Sequence, residues 1–129
     1  MSLKSKGISA ERELIHLLWE KEYACARVAG SGSNRYPSCD IIAGKPGHLL
    51  VFECKSIKGT TRYIDKKDME DFLSFARSLG ATPWIAVRFS KMLWHFISPE
   101  DTIVTPKAYG VSRILVQQKG LLLEEIIRM

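Results

Sequence analysis

DIIAGKPGHLLVFECK, residues 40–55, holds two apolar runs separated by a Gly-Lys-Pro-Gly turn, the pattern of two β-strands joined by a tight connection. The second run, Leu49 to Phe52, is almost continuously apolar, as in a strand covered on both faces. It then breaks its own rule with Glu53 and Lys55. A carboxylate buried without a partner costs several kcal/mol or is forced to protonate, so this position demands compensation. Strand side chains alternate, which puts Glu53 and Lys55 on one face and Cys54 on the other. Asp40 opens the preceding strand, and the turn brings it alongside. Two carboxylates and an ammonium thus converge at one end of a sheet. Few hard oxygen ligands suit Mg²⁺, which keeps its waters and completes its octahedron from a phosphate. Lys55 is placed to orient water or to stabilise charge on that phosphate. Glu11 is a candidate third carboxylate from outside the sheet. A decoy, Asp65-Lys66-Lys67, also fits D-x-K, but it opens a helix, where side chains at i and i+2 share no face.

Outward from this segment, residues 8–22 carry Leu14, Ile15, Leu17 and Leu18 at helical spacing, with Ser9 as the expected N-cap. A short strand is expected over 23–28 and a Gly/Ser/Pro loop over 29–38, and residues 56–64 read as polar and irregular. Asp65 is expected to cap a helix over 66–79 that Gly80 ends. Strands follow at 82–89 and 92–98 around a Ser90-Lys91 turn. Beyond Pro99, TIVT and RILV read as short strands and GLLLEEIIRM as a terminal helix. Hairpins with a helix between strands predict an α/β chain: a mixed central β-sheet flanked by helices, as one domain spanning residues 1–129.

Composition narrows the function. The 129 residues are 46% hydrophobic and 26% charged, which argues against disorder. No apolar run reaches the ~20 residues of a membrane span, and no signal peptide is evident, so a cytoplasmic location is expected. Cys25, Cys39 and Cys54 are odd in number and lack CxxC spacing, and three scattered histidines make no ligand pair, so neither a disulfide framework nor a zinc knuckle is expected. Nineteen Lys and Arg against 14 Asp and Glu give a net charge of +5, and the whole excess lies in residues 1–67. A localised positive field suits a polyanion, since each neutralised phosphate releases counterions.

Asp40…Glu53-Cys54-Lys55 resembles the active-site signature of the PD-(D/E)xK nucleases. More narrowly, the chain resembles the archaeal Holliday junction resolvases. The resemblance runs through Glu11-Arg12-Glu13-Leu14, Arg27-Val28-Ala29-Gly30-Ser31-Gly32-Ser33, Asp40-Ile41-Ile42-Ala43, Glu53-Cys54-Lys55-Ser56, Phe75-Ala76-Arg77-Ser78-Leu79-Gly80 and Trp94-x-Phe96. It implies a restriction-endonuclease-like fold and a homodimeric, Mg²⁺-dependent endonuclease, with Mn²⁺ as substitute, that nicks four-way junction DNA symmetrically. It also implies roles: Asp40, Glu53 and Glu11 as metal ligands, Lys55 assisting the water, and Ser31 as a catalytic or substrate-contacting serine. Arg12 and Arg27 are then expected at phosphate, with Lys4, Lys6, Arg35, Lys58 and Arg62 as further DNA contacts. Two other readings stand beside this one: a restriction-like or repair nuclease on duplex or flap DNA, and a non-catalytic module that holds branched DNA. No contact for a protein partner such as a sliding clamp is legible.

Overall fold

The computed structural model describes residues 3–30, 35–90 and 92–129, with side chains from residue 7 onward. The order is α1 (Leu3–Glu20), β1 (Ala24–Arg27), β2 (Ile41–Lys45), β3 (His48–Ile57), β4 (Thr61–Asp65), α2 (Lys66–Leu79), β5 (Thr82–Phe89), β6 (His95–Ile97), β7 (Ile103–Val104), β8 (Ala108–Ser112), α3 (Arg113–Lys119) and α4 (Leu123–Ile126). Strands β1-β2-β3-β5-β6 form a mixed sheet in that spatial order, and β4-β8-β7 form a small antiparallel one. No helix among the described residues is long and apolar enough to cross a membrane.

The expected hairpin is present. Ile41 to Lys45 pairs antiparallel with Phe52 to His48, and Pro46-Gly47 makes the turn, where Gly47 takes φ 80°, a conformation that penalises any side chain. Strand β3 pairs on its other side with β5, in parallel, from Leu50↔Thr82 to Ile57↔Phe89. Parallel neighbours need a crossover, and β4 with α2 supplies it.

The apolar run is explained by two cores, one per face. Leu50 and Phe52 join Leu14 and Leu18 of α1 and Ile126 of α4, while Val51 and Ile57 join Met69 and Phe72 of α2 and Leu115 of α3. Alternation therefore sends even-numbered β3 residues towards α1 and odd-numbered ones towards α2. Burying each such side chain contributes about 1.5–3 kcal/mol. Met69, Phe72 and Trp84 are buried in these cores.

Four local expectations are corrected. Helix α1 begins at Leu3, so Ser9 lies inside it and caps nothing. Residues 56–64 are mostly strand, because β3 runs on to Ile57 and β4 starts at Thr61, using β5 and β8 as partners that the local sequence does not reveal. RILV is the start of α3, whose first turn is closed by Ser112 Oγ accepting from the Leu115 N–H at 3.0 Å. Asp65 sits at the N-terminus of α2, but its side chain makes no capping hydrogen bond, since the residue ends β4.

Gly80 does end α2, at φ 76°, with its N–H reaching the Ala76 and Arg77 carbonyls. Gly80→Ala keeps those bonds and adds left-handed strain, so it is expected to lower unfolding free energy by about 1 kcal/mol, read as a lower urea midpoint at unchanged slope.

Candidate active site

The site forms where β2 stops and β3 continues. The last paired row is Ile41↔Phe52, and one residue further out Asp40 donates its N–H to the Phe52 carbonyl at 2.9 Å and gives its own carbonyl to the Val28 N–H at 2.8 Å. Its carboxylate turns across the gap, and Oδ2 accepts the Cys54 N–H at 2.8 Å. A side chain thus replaces a missing strand, and Asp40 is fixed beside Glu53.

Glu53 and Lys55 share a face as the alternation requires, with Oε1 to Nζ at 3.8 Å. Their side chains are 15% and 21% exposed, so the pair is partly desolvated. Burial, then a hydrogen bond and charge repulsion from Asp40, push the Glu53 carboxyl from its ordinary 4.5 up to about 9, against the pull of Lys55. Glu11 is also raised, first by burial and then by Asp40. The neighbouring Cys54 thiol is held in its neutral form by burial and by the same carboxylates. Three carboxyls, Glu11, Asp40 and Glu53, thus face two cations, Lys55 and Arg27, and without a metal the excess is relieved by a proton held on Glu53. The two carboxylates, Asp40 and Glu53, are hard oxygen donors in mutual contact and short of positive charge, so the donor set fits a divalent cation.

Glu11 lies near enough to feel the charge of Asp40 but is ion-paired elsewhere. Its Oε1 accepts from Arg27 Nε at 3.1 Å, which binds α1 to the edge strand β1. Among the described residues no three His, Cys, Asp or Glu side chains form a ready metal-ligand group. The expected three-carboxylate set is therefore, in this geometry, a pair plus an ion-paired neighbour.

Two cavities flank β3 and share Glu11, Cys54 and Lys55 as a common wall. One, of about 310 Å³, is acidic and is lined by Asp40 and Glu53 together with Asp68 and Asp71. The other, of about 490 Å³, runs under Gly7 and Ala10 of α1 and is rimmed by Lys58 and Arg62.

The expected basic contacts are dispersed. Arg12 and Lys58 are exposed, and Arg62 is exposed with Nη1 donating to the Ser56 carbonyl at 3.2 Å. Arg35 lies 4.8 Å over the Tyr36 ring, and Tyr36 in turn lines the acidic cavity. Arg27 is committed to Glu11. Ser31 and Ser33 lie outside the described residues, as do the side chains of Lys4 and Lys6. Sequence reasoning missed the α2 contribution. The segment dismissed as a D-x-K decoy leads directly into Lys67, Asp68 and Asp71, which line the cavity, and the only signal was Asp68 and Asp71 at i and i+3 on one helix face.

The chain's likeness to known proteins bears on what such a site does. Residues 2–129 match the family model described as archaeal Holliday junction resolvase (hjc). The crossover junction endodeoxyribonuclease Hjc of Archaeoglobus fulgidus is 33% identical over 124 residues, covering 96% of this chain and 90% of that one. The Methanocaldococcus jannaschii Hjc is 43% identical over 95 residues, 73% of this chain and 66% of its own. The solved structure of the A. fulgidus Hjc, described as a Holliday junction resolvase from an archaeal hyperthermophile, superposes with a TM-score of 0.87 at 30% identity, over 93% of this chain and 98% of that one.

A carboxyl whose folded-state pKa is raised takes up a proton on folding, so its stabilising contribution is complete below the unfolded value and is lost as pH rises through the folded one. In chelator, the melting temperature is therefore expected to fall between about pH 5 and about pH 9, and saturating Mg²⁺ is expected to flatten that slope. Glu53→Gln, which removes the crowded charge, should raise the chelator-treated melting temperature by several degrees near the upper end of that range, corresponding to about 1 kcal/mol or more. Thermal melts across the pH series check all three.

Proposed function

Because the chain belongs to the archaeal Holliday junction resolvase family, we propose that it is a cytoplasmic, structure-selective endodeoxyribonuclease that resolves four-way DNA junctions in recombination and repair. The observation that carries this reading at the residue level is the fork itself, with Asp40 and Glu53 in contact and Lys55 3.8 Å from Glu53. Asp40 and Glu53 would hold Mg²⁺, with Mn²⁺ as substitute, and the ion would supply a Lewis acid for the phosphoryl oxygen and a more acidic water. The protein's own groups do the remainder. Lys55 holds the attacking water by hydrogen bond and offers positive charge to the phosphate as it gains negative charge. The Glu11–Arg27 pair, whose Glu11 lines both cavities, offers an already oriented guanidinium to phosphate, and Ser31 is the further group that the family resemblance assigns to substrate.

Selection of a junction would rest on the placing of phosphates rather than on base readout. The basic groove beyond Lys55, with Lys58 and Arg62, is the path assigned to the strand leaving the acidic cavity, and Arg12, Arg35, Lys4 and Lys6 are the further DNA contacts proposed. Symmetric resolution needs two nicks and this chain has residues for one site, so the working unit is proposed to be a C2 homodimer.

The test is Mg²⁺-dependent cleavage of a fixed-sequence four-way junction beside its linear arms. Paired symmetric nicks in the junction alone are expected, reduced at least about 10³-fold in Glu53→Gln and Lys55→Ala, with junction affinity retained in Glu53→Gln. Equal cutting of the arms would leave a nuclease and discard the resolvase, and tight binding with no cutting in either metal would leave a binding module. Lys58→Ala and Arg62→Ala are each expected to lower the slope of log affinity against log salt by about 0.9, measured on an uncleaved junction in Ca²⁺ or chelator.

A further inference from the structure

Helix α1 carries a second engaged carboxylate two residues beyond Glu11. Glu13 Oε1 accepts from the indole Nε1 of Trp94 at 3.1 Å, a contact spanning 81 residues of sequence, and its Oε2 lies 3.2 Å from Arg88 Nη2. Both carboxylate oxygens are thus used by different elements: Trp94 just before β6, and Arg88 on β5.

Helical side chains at i and i+2 leave the axis about 200° apart, so Glu11 and Glu13 emerge on opposite flanks of α1. Glu11 reaches Arg27 on β1, and Glu13 reaches β5 and the approach to β6. These strands lie at opposite ends of the sheet order β1-β2-β3-β5-β6. Between the two anchors, Ala10, Leu14 and Leu18 pack on the sheet through apolar contact. Such contact opposes lifting of the helix and fixes which face is buried, but being non-directional it does not by itself fix small rotations or shifts along the axis. The directional contacts do.

The rows involved are those of the catalytic cluster. Val87 pairs with Lys55 and Arg88 with Ser56, and Trp94 lines the same groove as Glu11 and Lys55. Arg88 engages Glu13 through Nη2, while its buried Nε makes no hydrogen bond among the described residues.

We infer that Glu13, held by Trp94 and Arg88, is a positioning residue that fixes α1 across the sheet and thereby sets the Glu11–Arg27 pair against Asp40, Glu53 and Lys55. The inference uses the proposed nuclease reading only for its kinetic readout.

The test combines single-turnover junction cleavage at saturating enzyme with amide hydrogen exchange. Glu13→Ala is expected to slow cleavage about ten- to a hundredfold while junction affinity stays within about twofold, because a small displacement of an aligned group acts on the chemical step. Amides of residues 8–20 should exchange faster, and those of α2 should not. Glu13→Gln keeps an acceptor for Trp94 and should recover most of the rate. Trp94→Phe keeps the aromatic bulk, loses the donor and should fall in the same direction. If Glu13 acts through Glu11, adding Glu13→Ala to Glu11→Gln should slow cleavage by less than about twofold more. An unaltered rate in Glu13→Ala, or its full effect again on top of Glu11→Gln, overturns the inference. Should the wild-type protein leave junctions intact, the junction reading fails by itself, and exchange decides the clamp: unchanged α1 protection in Glu13→Ala and Trp94→Phe overturns it.

Discussion

One hydrogen bond organises this molecule, that from the Cys54 N–H to Asp40 Oδ2 at 2.8 Å. Strand β3 is ten residues long, but β2 covers only its first half, so the edge beyond Phe52 would present bare backbone donors beside a buried core. An unpaired buried N–H is among the most unfavourable groups a fold can contain. Asp40 resolves the problem with its side chain, and is thereby immobilised at the point where Glu53 emerges. The opposite edge of β3 stays paired with β5 through Ile57, so the fork is held by rigid elements. The backbone constraint and the proposed chemistry share one carboxylate.

The same arrangement stores electrostatic tension. Asp40, Glu53 and Glu11 lie near one another in partly desolvated surroundings, which raises the Glu53 and Glu11 carboxyls and keeps the Cys54 and Cys39 thiols neutral. A domain evolved for stability alone would replace such a group with well-packed apolar residues. Two separate cores, one on each face of the central sheet, support it here. Helices α1 and α2 pack on those faces and also form the walls of the two cavities. The acidic cavity and the basic groove meet at Lys55, so a polyanionic strand crossing β3 would pass from an acidic region to a cationic one.

Recognition of the fork from the chain alone succeeded because its components are local. Glu53 and Lys55 share a face by strand alternation, Asp40 lies one tight turn away, and an acid inside an apolar run is a visible anomaly. The errors had the opposite cause. Residues 56–64 form strands because distant β5 and β8 supply partners, and RILV is helical because Ser112 caps it, whereas β-branched residues alone suggest extension. Asp65-x-Lys67 was correctly rejected as a strand motif, yet the helix it opens delivers Lys67 and Asp68 to the cavity.

By itself the sequence determined the elements whose signal has the period of a strand or a helix: the β2–β3 hairpin, the two main helices with the Gly80 stop, and the Asp40, Glu53, Lys55 set. It also determined family membership, since the ordered motifs run through most of the chain. Tertiary structure alone decided that Glu11 pairs with Arg27, that Glu13 bridges Trp94 and Arg88, and that Asp68 and Asp71 close the acidic cavity. The physical reason is one of range. Periodicity and turn chemistry act over a few residues and can be read in order, whereas the meeting of side chains from separate elements depends on how two cores seat the helices on a sheet, which no local pattern encodes.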